Sequence, residues 1–443
     1  MLGPTAYNMT TVSTSAEEHM PEQHHAETAL FPSQQVFIDT EDKYGAHNYH
    51  PLPVVLERGE RCFLYDTDGK KYFDFLAAYS AVNQGHCHPK IVKTMQQQCS
   101  KLTLTSRAFH NNVYAGYTKF ITDFFGYDRV LPMNTGVEGT ETAIKLMRKW
   151  AYTKRGTPEG EAKIVFAHNN FWGRSVCAIS TSTDPDCYKG FGPYAPGFIL
   201  LPYNDIAALE KAFETEPNLV GVCYEPIQGE AGIIVPDEDF FLKVSALCKK
   251  YNALLCCDEI QTGLCRTGKM LCSQHFGVRP DILVLGKALS GGMYPVSAVL
   301  CDDDVMLNIR PGQHGSTYGG NPLGSAVAQA ALEVLRDEKM AENAEELGQI
   351  FRKELKAIKY AWIKDVRGKG LLNAVEVDPA FAAKVTAWQV CVRLAQNGLL
   401  AKPTHENIIR FAPPLCITKQ EIMDALAVIK GTLEEFNEKV AKL

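Results

Sequence analysis

Lys287 stands directly after an apolar run, Ile282-Leu-Val-Leu-Gly, and is followed by Ala-Leu-Ser-Gly-Gly. A lysine at that point looks out beyond the carboxyl edge of a strand, where open α/β sheets bind ligands. Burying an ammonium is costly unless it is paired or used, and a desolvated lysine forms imines with aldehydes. Alone, it could equally be a surface lysine at a strand end. A second run, Ala253-Leu-Leu-Cys-Cys-Asp258-Glu259-Ile-Gln261-Thr-Gly, sets an acid at the end of another apolar strand, where a metal or helix-cap role is the plain alternative. A third, Pro132-Met-Asn-Thr135-Gly136-Val137-Glu, precedes a helical stripe of Val137, Thr140, Ile144, Met147 and Ala151. Amides at a helix N-terminus bind phosphate through unpaired donors and the macrodipole. The fourth, Phe171-Trp172-Gly-Arg174, offers an aromatic face beside a cation, or else ordinary core aromatics.

Strand-Asp followed by strand-Lys, each with a glycine-containing turn after it, is more specific than either feature alone. An imine-forming amine, a carboxylate able to keep a ring nitrogen protonated, a phosphate cradle and a stacking ring are what pyridoxal 5'-phosphate requires.

Other chemistries have less support. His86-Cys87-His88 suggests a metal, but zinc sites need a second pair of ligands at defined spacing, and the sequence supplies none, so no metal is expected. The 14 cysteines are scattered without a CxxC pair and several lie in apolar runs, as expected of buried thiols in a reducing compartment. A net charge of −6 gives no general attraction to nucleic acid or an anionic membrane, and no apolar run reaches the roughly 18 residues of a membrane span. The opening segment has no apolar core for secretion. It carries Glu17, Glu18, Glu22 and Glu27 and no Arg before residue 31, unlike a mitochondrial presequence, so a cytoplasmic location is expected, with mitochondrial as the runner-up.

The elements that must position these residues follow from the apolar rhythm. With 443 residues, more than one substructure is expected. Residues 1–33, polar and rich in His and Glu, read as a disordered tail, with order beginning near Val36. Residues 34–89 contain an alternating pair of runs, Val54 to Asp66 and Lys71 to Leu76, around the turn Thr67-Asp68-Gly69. Residues 90–325 alternate apolar runs (Lys163-Ile-Val-Phe-Ala, Leu219-Val-Gly-Val-Cys-Tyr, Ala253 to Cys257, Ile282 to Leu285) with helical patterns, the signature of a mostly parallel sheet flanked by helices. Residues 326–443 give helices at 326–335, 341–355, 385–394 and 419–436 and strands at 370–377 and 408–412. The expected fold class is α/β: one large domain around a mostly parallel, seven-stranded type of sheet, and a smaller α+β domain built from both chain ends.

Over residues 36–440 the sequence resembles the class-III, fold-type-I aminotransferases, and within them the branch that acts on ornithine. The resemblance is carried by Gly45-Ala-His-Asn-Tyr49-His-Pro-Leu-Pro-Val, Tyr79-Ser-Ala-Val-Asn-Gln-Gly-His-Cys-His-Pro, Asn170-Phe-Trp-Gly-Arg174, Glu225-Pro-Ile-Gln-Gly-Glu230-Ala-Gly, Asp258-Glu-Ile-Gln-Thr-Gly, Leu285-Gly-Lys287-Ala-Leu-Ser-Gly-Gly, His314-Gly-Ser-Thr317-Tyr-Gly-Gly-Asn-Pro, Lys402-Pro-Thr-His and Ile409-Arg410-Phe-Ala-Pro-Pro. It implies that Lys287 carries the cofactor as a Schiff base and shuttles the proton. Asp258 would partner the pyridine nitrogen, Gln261 would neighbour the phenolic oxygen, Phe171 would stack, and Gly136 and Val137 would hold the phosphate. Ser316 and Thr317 would complete the phosphate site, Thr317 reaching the other subunit's cofactor, so that a homodimer with shared active sites is implied.

The resemblance further implies L-ornithine and 2-oxoglutarate as substrates. Arg174, helped by Tyr49, would hold the distal carboxylate, and Arg410 the proximal one. Glu230 would mask Arg410 while ornithine is bound, and Tyr79 would narrow the pocket. An acetylornithine or 4-aminobutyrate aminotransferase is the alternative within the family, and a non-catalytic cofactor-binding scaffold is the remote one. The family pattern Asn-Thr-Gly-Val-Glu-Ala-Gly-Glu-Thr-Ala is broken here at Gly139-Thr140, within the first turns of the helix.

Overall fold

In the computed structural model, which describes residues 29–442, the apolar runs of the middle of the chain lie side by side in one seven-stranded sheet. The strands in chain order are β1 (Leu56–Glu60), β2 (Phe63–Asp66), β3 (Lys71–Asp74), β4 (Arg129–Met133), β5 (Lys163–Ala167), β6 (Phe198–Leu201), β7 (Leu219–Tyr224), β8 (Leu254–Asp258), β9 (Ile282–Leu285) and β10 (Ser297–Cys301), then β11 (Ile363–Lys369), β12 (Leu372–Val377), β13 (Leu399–Leu400), β14 (Lys402–Thr404) and β15 (Ile408–Phe411). The large sheet runs β4-β10-β9-β8-β7-β5-β6. Its pairs from β9 to β6 are parallel, and β10 is antiparallel to both neighbours. β7, β8, β9 and β10 are buried along their whole length, which is why the first three read as continuous apolar runs rather than alternating ones. One apolar cluster packs Leu209, Phe213, Phe240, Phe241 and Val244 against one set of side chains of the sheet, and another packs Ile144, Met147 and Trp150 against a second set.

Two four-stranded sheets flank this one in sequence. β11-β12-β15-β14 is antiparallel. The sheet β1-β2-β3-β13 joins an early hairpin to a late strand, since Leu399 and Leu400 pair in parallel with Phe73 and Asp74. The hairpin turn at 67–69 closes through Gly69, whose φ of +82° suits the residue without a Cβ.

Several boundaries differ from the sequence expectation. The described chain divides into two compact units between Val55 and Leu56. In the first, Leu30 N donates to Pro53 O at 3.0 Å and a helical turn spans Pro32–Gln34, so residues 29–33 are ordered rather than part of a tail. The remainder of the expected tail, residues 1–28, lies outside the described residues. The expected boundary at 325 falls inside the helix Pro322–Asp337, which begins earlier because Asn321 caps it and Pro322 occupies its first turn. Among the described residues, no group of three or more His, Cys, Asp or Glu side chains is placed to hold a metal ion. His86 is paired with Asp74 at 2.7 Å and His88 with Glu338 at 2.8 Å. All 14 cysteines are free thiols. No helix among the described residues is long and apolar enough to cross a membrane.

Candidate active site

β8 and β9 are parallel neighbours with Asp258 opposite Val284, so Lys287, three residues further on, emerges at the same sheet edge as Asp258. The chain leaves β9 through Lys287 itself, whose φ is +44°, a left-handed conformation a non-glycine residue adopts only when its surroundings demand it. Burial lowers the Lys287 ammonium pKa, Glu230 and Asp258 pull it upward, and Arg410 pushes it down. Asp258 is 5% exposed. Its Oδ1 accepts from Ile260 N at 3.0 Å and its Oδ2 from the Thr140 hydroxyl at 3.3 Å. Burial raises its pKa to about 6 against the lowering effects of those two bonds and of Lys287. The adjacent Glu259 turns away into structure, accepting from Cys272 N, Ser273 N and the Thr262 hydroxyl.

Glu230 and Arg410 come together from loops and strands 180 residues apart. Arg410 Nη1 donates to Glu230 Oε1 at 2.7 Å, and Gln261 Nε2 donates to the same oxygen at 2.9 Å. Burial alone would raise the Glu230 pKa, but the Arg410 and Lys287 charges and these two bonds bring it down to about 2. Arg410 is 4% exposed, and its guanidinium carbon lies 4.9 Å from the centre of the Tyr79 ring. Tyr79 is carried by four consecutive residues with positive φ, Ala77 to Ser80. Asp74 secures the entry to that turn by accepting from Leu76 N and Ala77 N at 2.9 and 2.8 Å.

The third side is the start of the helix Gly136–Trp150. Thr135 caps it, and the Glu138 carboxylate takes the Asn134 and Thr135 amides. Among the described residues the amides of Gly136 and Val137 have no protein acceptor, which leaves them able to bind an anion. Gly173 lies so near that a Cβ there would come within 2.6 Å of Val137, which keeps the Phe171–Trp172 loop against the helix start. Phe171 is half-buried with the exposed Arg174 guanidinium 5.6 Å from its ring centre. Asn134 Nδ2 donates to the Ser316 hydroxyl at 2.8 Å, so the Ser316–Thr317 segment borders the same helix start, with Thr317 exposed. Tyr49 belongs to the first unit and is exposed.

Three residues gain a place that the sequence reading did not give them. Glu225, at the end of β7, accepts from Phe171 N and Gly229 N at 3.2 and 3.3 Å, and burial together with the Asp258 charge raises its pKa to about 8. The signal was its position one residue past an apolar strand, the same signal that marked Asp258. Thr140 was read as part of a helical stripe and as a departure from the family pattern, without a partner. Arg266 is fully buried and donates to Asn83 Oδ1, Leu371 O and Pro413 O, a framework role no local pattern announces.

Comparison with known proteins agrees with this geometry. The sequence matches the family "Aminotransferase class-III" over residues 44–433. It is 58% identical over 404 residues to "Probable ornithine aminotransferase, mitochondrial" of Caenorhabditis elegans, covering 91% of this chain and 94% of that one. It is likewise 58% identical to "Ornithine aminotransferase, mitochondrial" of Rattus norvegicus, covering 91% and 92%. Among solved structures, the ornithine aminotransferase of Toxoplasma gondii superposes with a TM-score of 0.89 at 47% identity, covering 91% and 96% of the two chains. The acetylornithine aminotransferase of Elizabethkingia anophelis does so with 0.83 at 53% identity, covering 91% and 99%. A fold of one mostly parallel seven-stranded sheet, with lysine and aspartate at adjoining strand ends, and a family match over nearly the whole described chain lead to one conclusion: the chain belongs to the class-III aminotransferases.

Proposed function

We propose that the chain transfers the δ-amino group of L-ornithine to 2-oxoglutarate in two half-reactions, giving glutamate-5-semialdehyde and glutamate, with pyridoxal 5'-phosphate as cofactor. The observation that carries the reading is the Glu230–Arg410 ion pair, 2.7 Å apart and close enough to Lys287 for both charges to act on it. A site serving only α-amino acids needs its arginine open for the α-carboxylate. A donor presenting a terminal amine has no carboxylate there, and a buried guanidinium left unpaired would be strongly destabilising. Glu230 supplies the missing charge.

The donor set fits the cofactor. The free amides of Gly136 and Val137 suit a phosphate, the Phe171 face suits a ring, Asp258 suits a protonated ring nitrogen and Gln261 a phenolic oxygen. When bound, the cofactor supplies an aldehyde for an amine to condense with and a protonated ring that withdraws electrons from the bond being broken. Lys287, its ammonium destabilised by burial, would supply the neutral amine that holds the aldehyde and would hold the proton taken from the substrate carbon. Asp258 stays ionised against a cation and fixes it. Arg174 takes the distal carboxylate of either substrate. When 2-oxoglutarate enters, its proximal carboxylate takes Arg410 by a two-pronged contact and displaces Glu230. Tyr79 narrows the space beside Arg410. Ser316 completes the phosphate site beside Asn134, and Thr317 acts across a homodimer interface on the partner subunit's phosphate.

A donor panel tests the reading: ornithine should exceed acetylornithine and 4-aminobutyrate in kcat/KM. The acetylornithine alternative keeps a place because the Elizabethkingia structure, named for that substrate, is 53% identical; a clear preference for acetylornithine would establish it. Borohydride treatment followed by peptide mapping should mark Lys287 alone. The cytoplasmic expectation stands against the nematode and rat relatives, which are named mitochondrial. Fractionation of cells expressing the full chain separates the two.

A further inference from the structure

We propose that Thr140 is a positioning residue for Asp258, its hydroxyl fixing the carboxylate that faces the cofactor ring nitrogen. The inference rests on the pyridoxal-phosphate reading above and goes beyond it, because it concerns a position where this chain departs from the pattern of the family it resembles. Thr140 is fully buried one turn inside the helix Gly136–Trp150, and its Oγ1 lies 3.3 Å from Asp258 Oδ2. Asp258 Oδ1 is held separately, by Ile260 N at 3.0 Å. The carboxylate therefore has one donor on each oxygen, from two different elements, and cannot rotate without breaking one of them. Each oxygen keeps lone-pair capacity for a ring nitrogen. The hydroxyl has a competing acceptor, Gly136 O, also at 3.3 Å. An ionised carboxylate is the stronger acceptor, so the single hydroxyl proton goes to Asp258.

The neighbouring glycines explain how a threonine reaches the strand end. A Cβ on Gly136 would come within 2.9 Å of the Ile260 side chain, and one on Gly139 within 3.0 Å of Val284 on β9. Both lie on the helix face that bears Thr140, and without side chains they let that face settle close to β8 and β9. The family pattern reads Ala-Gly where this chain has Gly139-Thr140. The exchange removes a methyl from the contact with β9 and adds a hydroxyl where Asp258 can use it. Thr140 also opposes the rise that burial imposes on the Asp258 pKa, so its loss would favour the protonated acid over the carboxylate.

The test uses full-length apoprotein reconstituted with 15N-labelled pyridoxal 5'-phosphate and compares wild type with Thr140→Val and Thr140→Ser. Thr140→Val should bind the cofactor about tenfold more weakly, the loss expected for a hydrogen bond to a charged group. Its ring-nitrogen resonance should also move toward the unprotonated position. Thr140→Ser should restore both. Wild-type affinity and resonance in Thr140→Val, or equal impairment in Val and Ser, would overturn the assignment. If Thr140→Val does not fold, Thr140→Ala gives the same readout. Wild-type protein that binds no cofactor at Lys287 would sink the function itself, an outcome distinct from a wild type that binds and a valine variant that is indifferent.

Discussion

Replacing Glu230 with Ala should change which amino donors the site accepts, and the size of the change follows from the ion pair. The Glu230 carboxyl titrates at about 2 against an ordinary 4.5, a difference worth about 3 kcal/mol in favour of the ionised, paired form. A carboxyl with a depressed pKa contributes its stabilisation above the unfolded value and loses it only as pH falls toward the folded one. Between pH 5 and 9 the mask is therefore permanently charged, and a substrate removes it by competition, not by protonation. An α-carboxylate arriving at Arg410 must displace that pairing, and in Glu230→Ala it need not. Glutamate should then gain up to about a hundredfold in kcat/KM, while ornithine loses activity because a guanidinium 4% exposed faces its side chain without a partner. The assay is the first half-reaction, followed by the cofactor's visible absorbance with ornithine and glutamate separately. A glutamate-to-ornithine ratio of kcat/KM shifted by less than about tenfold, less than 1.4 kcal/mol, would refute the masking argument.

Lys287→Ala should lower turnover by about a thousandfold or more, the scale of losing a positioned proton carrier together with the amine, and should eliminate the borohydride-fixed peptide. Asp258→Asn should lower activity by on the order of a hundredfold yet stabilise the apoprotein. The folded pKa of Asp258 is raised to about 6, so its contribution is favourable below about 3.8 and is lost as pH rises through 6. Thermal unfolding of the apoprotein at pH 7 should show Asn more stable by up to about 3 kcal/mol, and a less stable Asn variant would contradict the burial argument. His86→Asn should disturb Tyr79 at a distance, because His86 holds Asp74, which caps the turn Ala77–Ser80; ornithine kcat/KM should fall about tenfold while cofactor affinity stays unchanged, a split measured on one preparation.

The centre of the fold was legible because burial on both faces leaves a plain mark. β5, β7, β8 and β9 appear as runs with apolar interiors; the acid is the last residue of β8 and the lysine lies two positions past β9. Where burial is partial the mark fades. β4, with Arg129 exposed, and β6, buried only in part along its length, were not anticipated, and neither was β11, in which charged and apolar residues alternate irregularly; β10 was also not anticipated, although it is buried throughout. β13 has two residues and exists only because Leu399 and Leu400 find β3. Within the site, Glu230 and Arg410 were named from resemblance and are found hydrogen-bonded, while the place of Tyr49 depends on a unit described separately.

The features that escaped the sequence share one cause: each depends on how closely two elements approach. Thr140 matters because Gly136 and Gly139 let a helix settle on two strand ends, and no periodicity distinguishes a buried threonine that meets a carboxylate from one that meets a valine. The turn Ala77–Ser80 holds four non-glycine residues at φ between +47° and +70°. Left-handed backbone costs about 1–2 kcal/mol per residue, so the composition argues against the conformation. It persists because Asp74 binds two amides at its entrance and itself holds His86, and its product is a tyrosine ring set under Arg410. On the proposed function, in which Arg410 alternates between Glu230 and the keto acid, strain beside that arginine is where pre-organisation has most value: a Tyr79 free to move would leave the Arg410 guanidinium without a fixed face to pack on.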